Sequence, residues 1–212
     1  MSQSKLLNYN SERGARAYRA DYENKLHRKL SDKWERTILS GFFQRIGRVN
    51  RLLDVPCGAG RLQGLFRSVA DQVYEADWSQ TMLAINRGEH PKNREPYIRC
   101  SALDLPFGDR AMDVVVSIRL SHHLDETKDR EGHLRELMRV ADKAVIMTWF
   151  SASSLKNILR EVRVKLMGKR PKNVLRTGRV RQIALESGFH LESATPLARI
   201  GSGHLFGLLR RR

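Results

Sequence analysis

Residues 52–62 read Leu-Leu-Asp-Val-Pro-Cys-Gly-Ala-Gly-Arg-Leu, an apolar run that carries an acid, Asp54, into a turn holding Gly58 and Gly60. Such glycine turns between a strand and a helix bring bare backbone against a ligand, and several nucleotide chemistries share them. A phosphate loop needs a Lys-Ser/Thr pair after its last glycine. Arg61-Leu62 stands there instead, so that reading fails. A dinucleotide fingerprint survives this test: Gly58, Gly60 and Gly64 are loosely spaced, and Asp77 lies 19 residues beyond Gly58. That offset suits an acid that binds a ribose. A third reading rests on residues further along the chain.

Other residues able to do chemistry are sparse. His122 and His123 come after a β-branched run and could serve as general bases. Cys57 and Cys100 form neither a metal spacing nor a disulfide framework, which fits a reducing cytoplasm. No metal site is expected. Cys57 falls inside the glycine turn, where a small residue fits.

The elements that must position these residues alternate in a βα rhythm. Strands are expected at 51–55, 72–76, 97–100, 113–118 and 143–149, with helices at 61–70, 79–87 and 125–140 between them. "MDVVVSI" and "KAVIMTWF" are short, nearly continuous apolar runs, as in a parallel sheet covered on both faces. Residues 1–47 read mostly as helix and form an expected N-terminal cap. Residues 48–212 form the main unit, and the two together make a single domain. After the fifth strand come an amphipathic helix over 153–167, a second helix over 177–187, and two strand-like runs, "HLESATP" and "HLFGLLRR". They suggest an antiparallel hairpin closing an otherwise parallel sheet. No window approaches a membrane-spanning apolar run, and the first residues lack the core of a secretory signal.

"LLDVPCGAGRL", "VYEADWSQTML" and "CSALDLPFGDRAMDVVVSIRLSHHL" together resemble, in order and spacing, the motifs of the class I S-adenosylmethionine-dependent methyltransferases. The resemblance covers residues 48–150 closely, and the final hairpin matches the end of that fold. It implies an α/β class: a Rossmann-like, doubly wound, mostly parallel seven-stranded sheet with a C-terminal antiparallel strand. It also implies S-adenosylmethionine as cofactor and S-adenosylhomocysteine as product. Asp54, Cys57, Gly58, Gly60 and Arg61 would then form the turn beneath the methionine and ribose, where a Cβ would collide. Asp77 would accept both ribose hydroxyls. Trp78 and Met82 would flank the adenine, and Ser101, Ala102 and Leu103 would meet its edge. Ser101 stands where the family often has an acid, with Asp104 three residues on; Pro56 replaces a usual glycine. Arg119 could orient the methionine carboxylate or an acidic acceptor, and His123 or His122 could act as base beside the methyl group. Tyr18 and Tyr22 belong to a leading helix that lids the site in similar enzymes.

The charge speaks to the acceptor. The chain has 212 residues with 39 Lys+Arg against 23 Asp+Glu, a net charge of +16. Between residues 156 and 181, Lys156, Arg160, Arg163, Lys165, Lys169, Arg170, Lys172, Arg176, Arg179 and Arg181 face one acid, Glu161. A basic insert over 151–182 would favour an anionic acceptor or surface. As an interfacial helix it would dock reversibly on anionic lipid, each cation adding about 1 kcal/mol. It would place the protein in the cytoplasm with peripheral membrane contact. As a nucleic-acid groove it lacks aromatic stacking platforms. The expected reaction is therefore methyl transfer to a small-molecule or lipid-like acceptor, with RNA methylation as the alternative. A nicotinamide-dependent oxidoreductase and a non-catalytic cofactor-binding protein are the rivals from other classes.

Overall fold

The structure, a computed structural model, describes residues 25–89, 96–150, 174–197 and 204–212, together with Ser11 and Gly14. The elements run α1 (Leu26–Ile46), β1 (Val49–Asp54), α2 (Gln63–Arg67), β2 (Ala70–Asp77), α3 (Gln80–Glu89), β3 (Tyr97–Arg99), β4 (Met112–Ser117), a 3-10 turn (Ser121–His123), α4 (Thr127–Val140), β5 (Ala141–Phe150), α5 (Thr177–Glu186), β6 (Phe189–Pro196) and β7 (His204–Arg211). Tyr18, Tyr22, the helix expected over 153–167 and seven of the ten cations named above lie outside the described residues.

The seven strands form one sheet in the order β3-β2-β1-β4-β5-β7-β6. The first five strands are parallel, and β7 enters antiparallel between β5 and β6. The chain leaves β1 toward β2 on one side and returns to β4 on the other. This reversal opens a crevice beyond the carboxyl ends of β1 and β4, where doubly wound folds bind ligands.

The strands bury both faces because successive side chains point to opposite sides. Leu53, Val115, Val145, Met147 and Leu209 pack with Leu134, Leu137 and Met138 of α4 and Val180 and Ile183 of α5. Their neighbours Leu52, Val114, Val116, Ile146 and Leu208 pack on the other face with Leu39, Phe42 and Phe43 of α1 and Phe66 of α2. All six residues of β4 are buried, Asp113 and Ser117 together with the apolar run Val114–Val116.

Two expectations need correction. The helix at 61–70 is only Gln63–Arg67. Turn bonds from Gly60 N–H to Cys57 O and from Gln63 N–H to Gly60 O delay its start. Its end is cut because Ala70 already pairs with Val49 in the sheet. The insert is also shorter than 151–182 at its C-terminal side. Leu175 N–H bonds Phe150 O, and Val180 on the inner face of α5 is fully buried in the core, so this stretch belongs to the common layer. Arg179 is held by Glu131 through bonds of 2.8 and 2.6 Å. No helix among the described residues is long and apolar enough to cross a membrane.

Candidate functional site

A cavity of about 920 Å³ opens at the carboxyl ends of the strands, and all fourteen residues singled out in the sequence line it. They arrive from four tips. Asp54, Cys57, Gly58, Gly60 and Arg61 come from the turn after β1, and Asp77, Trp78 and Met82 from the end of β2 and from α3. Ser101, Ala102 and Leu103 come just after β3, and Arg119, His122 and His123 just after β4.

Asp77 is pinned from both sides. Gly58 N–H donates to its Oδ2 at 2.9 Å and Ser79 N–H to its Oδ1 at 2.8 Å. Burial raises its pKa, and the N–H bonds from Ser79 and Gly58 oppose that rise. Each oxygen has a second lone pair, so the carboxylate is fixed in place as an acceptor for a diol. Ser79 caps α3 by accepting Met82 N–H at 3.2 Å. Burial also pushes the Asp54 carboxyl and the Cys57 thiol well up, and takes Cys100 to about 11. Neither thiol is a nucleophile near neutral pH.

The two turn glycines serve different ends. Both have positive φ, +56° at Gly58 and +77° at Gly60, which favours glycine. A Cβ at Gly58 would meet no protein atom within 4 Å, which leaves room for a ligand. A Cβ at Gly60 would run into the Asn86 side chain. Gly60 is thus required by a buried amide beneath the turn, which corrects the reading of it as ligand clearance. Asn86 in turn donates to Glu75 Oε2 at 3.1 Å.

Below the loop after β3 lies a buried histidine that the sequence does not single out. His133 Nδ1 is 2.9 Å from Ala102 O and its Nε2 is 2.9 Å from Ser117 Oγ. A carbonyl only accepts, so Nδ1 carries the proton and Nε2 accepts from the serine. Burial lowers its pKa to about 4, which keeps the ring neutral. Ser101 Oγ accepts Leu103 N–H at 3.1 Å, and Ser101 and Asp104 close a tight bridge. Asp104 does not line the cavity. Trp78 stays 44% exposed, with its ring accessible at the rim.

At the opposite end, Arg61 and Arg119 converge on Glu35 of α1, an acid that the sequence reading passed over. Its signal was present: Glu35 stands at helical spacing, four residues before Leu39, at the head of the buried stripe Leu39, Phe42 and Phe43. Beyond β4, His122 stacks between neighbours, with ring centroids 4.1 Å from His123, 4.5 Å from Phe150 and 5.0 Å from His204. His204 lines the cavity from β7, some eighty residues away in sequence, and no local pattern announced it.

Residues 53–147, from the end of β1 through most of β5, match the family model described as a methyltransferase domain. Over this stretch, a little under half of its length, the chain resembles methyltransferase domains. Two Mycobacterium tuberculosis proteins described as a "probable S-adenosylmethionine-dependent methyltransferase" are 33% identical to it over 89 residues. That stretch is 42% of this chain and 31% of theirs, so the likeness spans about a third of the curated relatives' length. Magnesium protoporphyrin IX methyltransferase from Synechocystis, solved with S-adenosylhomocysteine bound, superposes over 100% of both chains with a TM-score of 0.78 at 15% identity. A Pyrococcus horikoshii protein covers 89% of this chain and 93% of its own, with a TM-score of 0.68 at 18% identity. These structures share the fold of this chain.

Proposed function

We propose that this protein transfers a methyl group from S-adenosylmethionine to a small-molecule or lipid-like acceptor. The observation that carries the reading is Asp77: a buried carboxylate fixed by two backbone N–H groups at the tip of β2, beside an open turn at Gly58. This is what a ribose diol needs. When bound, the cofactor supplies a methyl group on a good sulfonium leaving group. Asp77 would hold its ribose, Trp78 and Met82 its adenine, and Arg61 and Arg119 its amino-acid carboxylate.

Chemistry then falls to positioning. Holding the acceptor atom in line supplies much of the rate, since effective molarities reach about 10⁵ M or more. His123, at the cavity wall beyond β4, would take a proton from an acceptor hydroxyl or amine. The acceptor side would be lined by Leu120, Leu124, His122 and His204, two aliphatic side chains and two imidazoles whose ring nitrogens can orient a ligand. This composition supports a compact organic acceptor. The structural neighbour named for magnesium protoporphyrin IX also takes a small molecule by its name.

S-adenosylhomocysteine at 100 times its Kd stabilises a folded protein by about 2.7 kcal/mol. For a chain of this size that raises Tm by roughly 5–10 °C. The Asp77→Ala protein is expected to lose that shift. Stabilisation by NADP in place of S-adenosylhomocysteine would overturn the reading, and a full shift in Asp77→Ala would remove the ribose role.

A further inference from the structure

Glu35 is fully buried in the middle of α1, a helix whose other buried residues are Leu39, Phe42 and Phe43. A carboxylate in such a place is unfavourable unless it is paired and hydrogen-bonded. Glu35 is both. Arg61 donates from Nη2 to Oε2 at 2.7 Å. Arg119 donates from Nε to Oε1 at 2.9 Å, and its Nη2 reaches the same oxygen.

The two arginines come from different walls of the crevice. Arg61 ends the turn after β1, and Arg119 comes just after β4, the neighbouring strand across the switch point. One carboxylate on a helix outside the sheet therefore ties both walls together. Arg61 also pairs with Asp32, which accepts Arg36 Nε at 2.7 Å. Arg119 has a φ of +65°, uncommon for a residue with a side chain, and its N–H is fixed to Thr148 Oγ1 at 2.6 Å. Left-handed residues of this kind cluster where a side chain must be aimed.

Among the described residues, three guanidinium groups, Arg36, Arg61 and Arg119, are ion-paired with two carboxylates, Asp32 and Glu35. Arg61 and Arg119 line the cavity. Without Glu35 the two guanidinium groups would repel each other and lose their shared direction. We infer that Glu35 is a positioning residue: it holds Arg61 and Arg119 as a paired cationic wall that selects ligands bearing an amino-acid carboxylate. The inference rests on the S-adenosyl reading above and extends it to an element outside the family-matched residues.

The test compares two probes on the full-length protein by calorimetric titration. S-adenosylhomocysteine carries the amino-acid tail; 5′-methylthioadenosine keeps the nucleoside thioether and lacks the carboxylate. Glu35→Gln is expected to weaken S-adenosylhomocysteine at least about tenfold, the loss of one charge-assisted contact. Its affinity for 5′-methylthioadenosine should stay within about twofold of wild type, since the nucleoside contacts are untouched. Glu35→Asp keeps the charge on a shorter arm, so it covers the case in which Glu35→Gln fails to fold. It should show the same selective loss at smaller size. Equal losses for both probes would make Glu35 a purely structural anchor and overturn the proposal. So would unchanged affinity for S-adenosylhomocysteine in a folded Glu35→Asp protein. Wild-type protein that binds neither probe would instead remove the S-adenosyl reading itself, and the proposal with it.

Discussion

At the scale of single residues, environment decides which histidine does what. His122 packs its ring against those of His123, Phe150 and His204, whereas His123 meets this stack from one end, at the cavity wall. His122→Ala should therefore cost mainly stability. His123→Ala should cut turnover about 100-fold, the lower end for a general base, with S-adenosylhomocysteine affinity unchanged. Normal turnover in His123→Ala would leave positioning as the sole mechanism. His133 carries a prediction of another kind. Its folded pKa of about 4 lies below the ordinary 6.5. Above pH 6.5 neither state binds the proton, and the full contribution to stability is present. As pH falls from 6.5 to about 4, the unfolded chain takes a proton that the buried ring cannot, so stability declines. The total loss is about 3 kcal/mol, read from urea midpoints across that range. His133→Gln should flatten this dependence; parallel curves for the two proteins would contradict it.

At the scale of elements, β7 is the keystone of the C-terminal half, since it pairs with β5 on one side and β6 on the other. Its Gly207 leaves space for the fully buried Trp149 of β5. A Cβ there would come within 2.6 Å of Trp149 Cη2 and closer still to Cζ3. Gly207→Ala overpacks this contact, with an expected cost of about 1–3 kcal/mol in chemical denaturation. A second change, Trp149→Phe, removes the clashing ring and should recover part of the loss. Failure of that rescue would place the cost in the backbone instead. The effect matters for the site because His204 and Phe150 are paired across the same two strands.

At the scale of the whole molecule, the net charge of +16 is a long-range field. Part of the basic side chains is already committed within the fold: Arg61, Arg119, Arg135, Arg139 and Arg179 each hold an acid. The net positive field should draw the protein to anionic vesicles at low salt and release it as salt rises. Screening shortens the reach of exposed charges to about 8 Å at physiological ionic strength. Sedimentation with anionic and neutral vesicles measures this, with RNA added as a competitor. Binding to neither removes the surface-docking expectation, and displacement by RNA redirects it to nucleic acid.

The sequence by itself determined the sheet and the turn, because each is local. β-branched runs such as Val114–Val116 must be buried on both faces, and Gly58 with Asp77 marks a strand-tip site at a fixed offset. The fourteen residues that line the cavity were legible for the same reason: they sit at strand ends, where the alternation of strand and helix already places them. What only the tertiary structure decided is everything that depends on contacts between distant segments. It showed that Gly60 answers to Asn86 from α3, that His204 joins His122 across the antiparallel β7, and that His133 supports the loop at Ala102. It also showed that Glu35, 84 residues from Arg119, binds it across the crevice. A buried charge declares its partner only when the chain is folded, since ion pairing depends on distance in space and leaves no periodic trace in sequence.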